Sequence, residues 1–273
     1  MADNLVSLQV EQSGHVAEVT LLGPGKGNAM GPDFWRELPV VFRELDADPD
    51  VRAVVLTGSG KHFSYGLDLP AMMGSWGELL GGALAGPRTR FLDEIRRLQD
   101  SVTAVADCRK PVVAAVSGWC VGGGVDLISA ADIRLASADA KFSVREVKVA
   151  IVADIGSLQR LRGIIGEGHL RELAYTGKDI DAARAEKIGL VNDVHPDRDA
   201  VLAAAHELAA GIAANPPLVV QGVKDVLDHG RAPAVADGLR YVSAWNAAFL
   251  PSKDLGEAVQ AFLERRDPEF TGE

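Results

Sequence analysis

The feature that most constrains the fold is a strand, glycine turn and helix between residues 110 and 160. An apolar, β-rich run from Pro111 to Val116 is followed by glycines at 122–124 and then by an apolar segment, Val125 to Ala131, typical of a helix. Glycines at such a turn let a ligand approach the backbone, and a helix start presents free N–H groups. The turn therefore predicts either a purely structural corner or a site for a phosphate or a developing oxyanion.

The glycine turn lacks the known phosphate-binding patterns. Its sequence reads GWCVGGGVDL, which matches neither GxGxxG nor GxxxxGK[ST]. The mismatch argues against a Rossmann-type dehydrogenase and leaves the structural corner and the oxyanion site as the alternatives.

Three carboxylates follow the glycines. Asp126 lies just inside the predicted helix, Glu146 follows a second short strand, and Asp154 lies within the segment AIVADIG. Each has a structural alternative, which is dipole complementation for Asp126, a surface ion pair for Glu146 and a helix N-cap for Asp154. Gathered in one apolar pocket, they could instead transfer protons to and from carbon, one as base and one as acid.

The alternation of apolar strands and amphipathic helices predicts an α/β fold with mostly parallel strand pairing. The predicted elements before the tail include strands at 15–22, 53–57, 111–116 and 190–194 and helices at 32–45 and 88–108. After residue 197 the pattern predicts helices alone. We therefore expect an α/β core over 1–196, which holds the site, and a helical C-terminal region over 197–273.

The segment 61–87 is rich in glycine and is predicted to be irregular. It also carries large apolar residues, namely Met72, Met73, Trp76, Leu79 and Leu80. Long loops inside compact domains are usually functional. The apolar content favours a pocket wall over a surface insertion.

Composition limits the function further. A net charge of −10 argues against non-specific nucleic-acid binding, and no apolar run approaches the roughly 20 residues that span a bilayer. The first residues include Asp3 and Glu11 and lack a basic targeting segment. Cys108 and Cys120 have no metal-ligand spacing, so we expect a reduced, cytoplasmic protein without a metal site.

The sequence resembles the crotonase, or enoyl-CoA hydratase/isomerase, superfamily over nearly its whole length. The motifs that carry the resemblance are AVVLTGSGKHFSYGLDL, KPVVAAVSGWCVGGGVDL, ADIRLAS, KFSVREV and YTGKDIDAARAEKIGLVNDV. The resemblance implies a crotonase-type spiral of ββα units with a C-terminal all-helical trimerisation region. It also implies an acyl-CoA thioester substrate and a homo-oligomer, either a trimer or a hexamer.

Motif position then assigns site residues. The backbone N–H groups of Leu67 and Gly123 would form an oxyanion hole for the enolate of the thioester. The substrate-binding residues implied beside them are Gly66, Asp68, Gly122 and Lys26. The basic residue that the family carries before Pro24 is replaced here by Gly23, and segment 71–87 shows no match to the motifs of the family.

The acids indicate a branch of the superfamily. Typical hydratases carry Glu at the places of Asp126 and Glu146 and Gly at the place of Asp154. The set found here is similar to that of Δ3,5-Δ2,4-dienoyl-CoA isomerases, as are the segments FWREL (34–38) and YVSAWN (241–246).

This branch implies a 1,5 proton shift that converts a 3,5-dienoyl-CoA into a 2,4-dienoyl-CoA in fatty acid β-oxidation. Glu146 and Asp154 would be the acid–base pair and Asp126 an auxiliary acid, with no metal or redox cofactor. Two alternatives remain, a 2-enoyl-CoA hydratase that uses Asp126 and Glu146, and a non-catalytic acyl-CoA-binding protein.

Overall fold

The computed structural model describes residues 5–23, 27–82 and 84–272, which form nine strands and eleven α-helices. The strands are β1 (Leu8–Ser13), β2 (Val16–Leu21), β3 (Ala53–Gly58), β4 (Val112–Val116), β5 (Trp119–Val121), β6 (Ile133–Ser137), β7 (Lys141–Ser143), β8 (Ile180–Asp181) and β9 (Asp193–His195). The helices are α1 (Pro32–Ala47), α2 (Leu69–Leu80), α3 (Ala85–Asp107), α4 (Gly123–Ala130), α5 (Ser157–Arg160), α6 (Glu167–Thr176), α7 (Ala182–Lys187), α8 (Arg198–Ala213), α9 (Pro217–His229), α10 (Ala232–Phe249) and α11 (Lys253–Glu264). Short 3-10 helices cover Glu146–Val149 and Leu161–Gly163.

The main sheet has the strand order β1-β2-β3-β4-β6-β9. The β1–β2 pair is antiparallel and the other four pairs are parallel. Strands β3 and β4 are buried along their whole length, because helices cover both faces of the sheet. A smaller sheet, β5-β7-β8, extends from the glycine turn. The predicted α/β fold with mostly parallel pairing is confirmed.

Two apolar layers hold the helices on the sheet. On one face, α1 and α3 bury their apolar stripes against alternate residues of the strands, among them Val54, Leu56 and Ala114. On the other face, α8 presents Val201, Ala205 and Ala209, spaced four residues apart, to Val55, Val113 and Leu135. Packing of this kind fixes the carboxyl ends of β3 and β4, from which the loops of the site emerge.

The predicted boundary between residues 196 and 197 falls between β9 and α8. Since α8 packs on the sheet and α10 packs on α3, the helical region is joined to the α/β part by extensive contacts. The division into two regions stays a prediction. Among the described residues, no helix is both long and apolar enough to cross a membrane.

The expectation that 61–87 is irregular is wrong for α2. Asp68 is the N-cap of this helix and accepts a hydrogen bond from the Ala71 N–H at 3.1 Å, while Pro70 lies in the first turn. A good cap and an early proline favour a helix start. Burial of Met72 and Trp76 against the core offsets the cost of the helix glycines, about 1 kcal/mol each.

Candidate active site

Two backbone N–H groups meet where the loop before α2 crosses the glycine turn before α4. The Met30 N–H donates to Gly66 O at 2.8 Å and the Asp68 N–H donates to Met30 O at 3.1 Å. This parallel bridge leaves the N–H of Leu67 outside the pairing. Gly123 is the first residue of α4, so its N–H has no partner within the helix. A Cβ at Gly123 would lie 3.6 Å from Leu67 N, so the backbones that carry the two donors lie close together.

The close crossing requires glycine at two positions. Gly66 has φ +80°, and a Cβ there would lie 2.5 Å from Val121 O and 2.9 Å from Gly123 N. Gly122 has φ +52°, and a Cβ there would lie 3.4 Å from Glu146 Oε1. The glycine turn is therefore more than a corner, because it admits both a second loop and a carboxylate to the start of α4.

The three predicted acids, Asp126, Glu146 and Asp154, come together on one cavity of about 770 Å³ that Leu67 and Gly123 also line. The rest of the lining is largely apolar and includes Trp35, Trp76, Phe91, Ile95, Leu98 and Phe262. A few polar groups converging in an apolar cavity are typical of a small-molecule site.

The apolar part of the cavity lies between α2 and α3. Trp76 of α2 contacts Phe91 of α3 edge to face, with the ring centroids 5.7 Å apart. Phe91 precedes Gln99 by eight residues, and Gln99 binds the backbone oxygen of Asp154. At 1.5 Å per residue, about 12 Å of helix separates the aromatic pair from Asp154, which leaves room for an extended apolar chain.

Asp126 is buried, and its role goes beyond complementing the dipole of its own helix, α4. Its Oδ1 accepts a hydrogen bond of 2.6 Å from the N–H of Ser157, the first residue of α5. Burial raises the pKa of Asp126, while the Ser157 hydrogen bonds and the positive charge of Arg160 oppose that rise. Asp126 thus joins α4 to α5 across the site.

Glu146 begins the short 3-10 helix after β7. Its Oε2 atom is buried and has no hydrogen-bond partner among the described residues, whereas its Oε1 lies beside Gly122. Burial raises the pKa of Glu146 well above its usual value, and the neighbouring Asp126 and Asp154 raise it further. The surface ion pair is excluded, because the Glu146 carboxyl is buried and Arg145, the preceding residue, pairs with Asp179 instead.

Asp154 is a buried acid and not a helix cap, since the N-cap of α5 is Gly156. Its Oδ2 accepts a hydrogen bond of 2.6 Å from Asn246 Nδ2 of α10. Burial raises the pKa of Asp154 to about 7, while the Asn246 hydrogen bond lowers it and the charge of Asp126 raises it.

The three carboxyls influence one another. Because negative charges in one apolar cavity repel, ionisation of one acid opposes ionisation of the others. The site can therefore hold a protonated and an ionised carboxyl side by side near neutral pH. This is the combination that acid–base chemistry on carbon needs.

The remaining predicted residues are Gly66, Gly122, Asp68 and Lys26. Gly66 and Gly122 shape the backbone crossing, and Asp68 lines the cavity while it caps α2. Lys26 lies outside the described residues. Cys120 is fully buried beside the turn and burial raises the pKa of its thiol well above the usual value, which disfavours a thiolate nucleophile.

Two polar residues of the site were not predicted from sequence, namely Gln99 and Asn246. Each is buried and bonds to the Asp154 segment from a helix distant in the chain. The available signal was the segment YVSAWN, which ends at Asn246 and belongs to the motifs of the resemblance.

Residues 11–273 match the family model described as enoyl-CoA hydratase/isomerase. The chain is 44% identical to the mitochondrial Δ(3,5)-Δ(2,4)-dienoyl-CoA isomerase of Dictyostelium discoideum, over 96% of this chain and 90% of that protein. It is 43% identical to the peroxisomal enzyme of that name from Arabidopsis thaliana, over 90% and 89%. The crystal structure of an enoyl-CoA hydratase/isomerase from Mycobacterium paratuberculosis superposes with a TM-score of 0.83 at 31% identity, covering 95% of this chain and 99% of that chain.

The expected cytoplasmic location is contradicted by these comparisons. The similar isomerases of Dictyostelium discoideum and Rattus norvegicus are named mitochondrial, and that of Arabidopsis thaliana is named peroxisomal. The expectation depended on the acidic first residues and on the two cysteines, and neither feature identifies a compartment.

The comparisons and the fold agree with the motif-based resemblance. The family match covers all three acids and both proposed N–H donors, and the architecture is that of the solved relative. This chain belongs to the enoyl-CoA hydratase/isomerase family.

Proposed function

We propose that the protein is a Δ3,5-Δ2,4-dienoyl-CoA isomerase acting on an acyl-CoA thioester. The observation that carries the proposal is the burial of Asp154 on the cavity that Glu146, Leu67 and Gly123 also line. The relatives of that name at 43–44% identity support it.

In the proposed reaction one carboxylate removes a proton from C2 of a 3,5-dienoyl-CoA. The electron pair of the C–H bond delocalises over the thioester carbonyl and the two double bonds, which gives a dienolate. The N–H groups of Leu67 and Gly123 stabilise the negative charge on the thioester oxygen. A carboxylic acid then protonates C6, and the double bonds end at C2 and C4.

The position of Glu146 supports its assignment to C2. Its Oε1 lies beside Gly122, one residue before the Gly123 N–H that would bind the thioester oxygen. C2 is bonded to the thioester carbon, so the base for C2 must lie next to the oxyanion hole. Asp154, which lies on the α3 side of the cavity, is then the acid for C6.

Glu146 and Asp154 exchange protonation states in each turnover under this scheme. A proton must therefore return from Glu146 to Asp154 before the next substrate reacts. Asp126 adjoins Glu146 and influences the pKa of both other acids, so we assign this return to Asp126. The reaction is redox-neutral, and the thioester supplies the acidity at C2, so the scheme requires no metal or redox cofactor.

The hydratase alternative is less compatible with the position of Asp126. That alternative assigns Asp126 and Glu146 to a catalytic water. One oxygen of Asp126 is instead occupied by the Ser157 N–H, and Asp154 adds a third acid that a hydration does not need.

The direct test of the function is a pair of assays on the purified protein. With 3,5-dienoyl-CoA we expect the conjugated 2,4-dienoyl product, identified by its ultraviolet absorbance and by NMR. With 2-enoyl-CoA we expect at most slow hydration. Fast hydration without isomerisation would establish the hydratase instead, and tight binding of both esters without turnover would establish a binding protein.

The substitution Gly66→Ala should reduce kcat by about 10²- to 10³-fold, the usual effect of losing one oxyanion-hole donor. The added methyl would lie 2.9 Å from Gly123 N and 2.5 Å from Val121 O, so the two loops must separate. Steady-state kinetics on the dienoyl-CoA checks this.

Gly60→Ala is the matched control for that substitution. Gly60 also has a left-handed φ, +65°, but a Cβ there meets nothing within 4 Å. Both variants carry the backbone strain of about 1 kcal/mol or more, whereas Gly60→Ala should retain near wild-type kcat. Equal kcat in the two variants would argue against the crossing as the oxyanion site.

We also propose that the C-terminal helices join copies of the chain. Several large apolar side chains are exposed along α9 and α10. An ordinary protein surface exposes such side chains singly, so this set requires an explanation. Its members are Leu218, Val219, Val223, Val226, Leu227, Tyr241, Trp245 and Phe249. Burial of this surface between subunits would give the trimer or hexamer that the family resemblance implies.

A charge on this surface should dissociate the oligomer. Val226 is 74% exposed, and Val226→Glu should lower the mass measured by light scattering, because an ionised carboxylate would be buried without a partner. Leu84→Glu, at a leucine that is 78% exposed elsewhere, is the control and should leave the mass unchanged. An unchanged mass in both variants would place the interface elsewhere.

A further inference from the structure

Asn246 binds the site through a single nitrogen. Its Nδ2 donates to Val152 O at 2.8 Å and to Asp154 Oδ2 at 2.6 Å. A carbonyl oxygen can only accept, so the contact with Val152 fixes which end of the amide is the NH₂ group. Asn246 is 1% exposed, and its side chain cannot turn without losing both bonds.

The fixed NH₂ group distinguishes the two oxygens of Asp154. A protonated carboxyl has one O–H donor and one carbonyl acceptor. If the proton were on Oδ2, that O–H would either face the N–H at 2.6 Å or turn away and leave the N–H a hydroxyl oxygen, which is a poorer acceptor than a carbonyl oxygen. The neutral acid therefore keeps Oδ2 as the carbonyl oxygen and carries its proton on Oδ1.

The segment that carries Asp154 depends on side chains for its position. Residues 151–154 have no regular secondary structure and lie between the left-handed backbone positions Ala150, φ +56°, and Gly156, φ +137°. Gln99 Nε2 donates to Asp154 O at 2.7 Å and to Leu239 O at 3.1 Å. Gln99 thus holds the backbone, whereas Asn246 holds both the backbone and the carboxyl.

We propose that Asn246 is a positioning residue that confines the transferable proton of Asp154 to Oδ1, the oxygen that accepts no hydrogen bond from Asn246. The inference rests on the proposed isomerase function, in which Asp154 must deliver a proton in one direction. An acid free to carry its proton on either oxygen would spend part of its time with the proton directed towards α10.

The charged groups near Asp154 come from the other elements packed around it. They are the carboxyls of Asp126 on α4 and Glu146 on the 3-10 helix, with the Arg160 guanidinium of α5 bonded to Ile155 O at 3.1 Å. From α3 and α10 the groups that touch the segment are the uncharged amides of Gln99 and Asn246. A change at Asn246 therefore alters a hydrogen bond to Asp154 and leaves the charges around it in place.

The test compares Asn246→Leu with Gln99→Leu. Leucine has the shape of asparagine without the donor, so the limb of the kcat–pH profile that reports Asp154 should move to higher pH by about one unit or more. We expect kcat to fall at least tenfold while KM changes by less than threefold. Gln99→Leu also removes a buried amide from the segment, and its pH limb should stay in place.

Two further measurements keep the test decisive. The side chain of serine is too short for its hydroxyl to reach Asp154, so Asn246→Ser should give the same shift. This variant replaces Asn246→Leu if the leucine variant does not fold. Isotope-edited infrared titration of the Asp154 carboxyl, assigned with Asp154→Asn, needs no substrate and should show the same rise. An unmoved limb and an unmoved carboxyl titration in the Asn246 variants would overturn the inference. A moved titration in a protein that never isomerises 3,5-dienoyl-CoA would instead refute the proposed function.

Discussion

Replacing Glu146 by glutamine is expected to lower kcat for isomerisation by about 10²- to 10⁴-fold, the usual contribution of a general base. Glutamine keeps the shape of the side chain beside Gly122 but cannot accept the C2 proton. The fold should be retained, because glutamine removes a buried carboxyl whose Oε2 has no hydrogen-bond partner among the described residues. Steady-state kinetics and circular dichroism of the same preparation measure both effects.

Glu37→Gln is the matched control for this prediction. Glu37 is also buried, but it accepts hydrogen bonds from Val6 N, Ser7 N and Ser7 Oγ, away from the cavity. Its substitution should reduce the free energy of unfolding and leave kcat near the wild-type value. If Glu146→Gln retained full activity, the base would have to be sought among the other acids.

Asp154→Asn should lower kcat by a similar factor and, unlike most active-site substitutions, stabilise the protein above neutral pH. Burial raises the pKa of Asp154 to about 7, from its ordinary value of 3.8. A raised pKa in the folded state means that stability is fully present below pH 4 and is lost as the pH rises towards 7. Asparagine does not ionise and avoids that loss.

Thermal unfolding at several pH values tests the stability part of this prediction. The Tm of Asp154→Asn should exceed that of the wild-type protein at pH 8, and the two values should converge near pH 4. Gln99→Leu, which loses a hydrogen bond to the same segment without removing a charge, should have a lower Tm at both pH values. A lower Tm for Asp154→Asn at pH 8 would show that the ionised carboxylate is stabilised in the folded protein.

Much of the site could be predicted because its determinants are local in sequence. The three glycines at 122–124, the apolar strand before them and the carboxylates at Asp126, Glu146 and Asp154 lie within one stretch of the chain. Periodicity alone predicted most elements around that stretch, including α1 and α3. The apolar residues of the segment 61–87 also correctly indicated a pocket wall, since Trp76 lines the cavity.

The parts that escaped prediction depend on distant contacts. Asn246 lies 92 residues from Asp154 in the chain, and Gln99 lies 55 residues from it. Nothing near either amide indicates its partner. Helix α2 was missed because its glycines lower its helix propensity, although Asp68 is a good cap. The choice for Asp154 between helix cap and buried acid required knowing that α5 begins after Gly156. Each of these features is decided by packing and not by local sequence.

The central claim is that Glu146 and Asp154 act on different carbons of one dienolate. NMR of 3,5-dienoyl-CoA in D₂O with the two variants tests it most directly. Asp154→Asn should exchange the C2 hydrogen for deuterium without forming product, because Glu146 and the N–H groups of Leu67 and Gly123 are intact, whereas Glu146→Gln should neither exchange nor isomerise. Exchange at C2 by Glu146→Gln but not by Asp154→Asn, or full isomerisation by Asp154→Asn, would contradict the account.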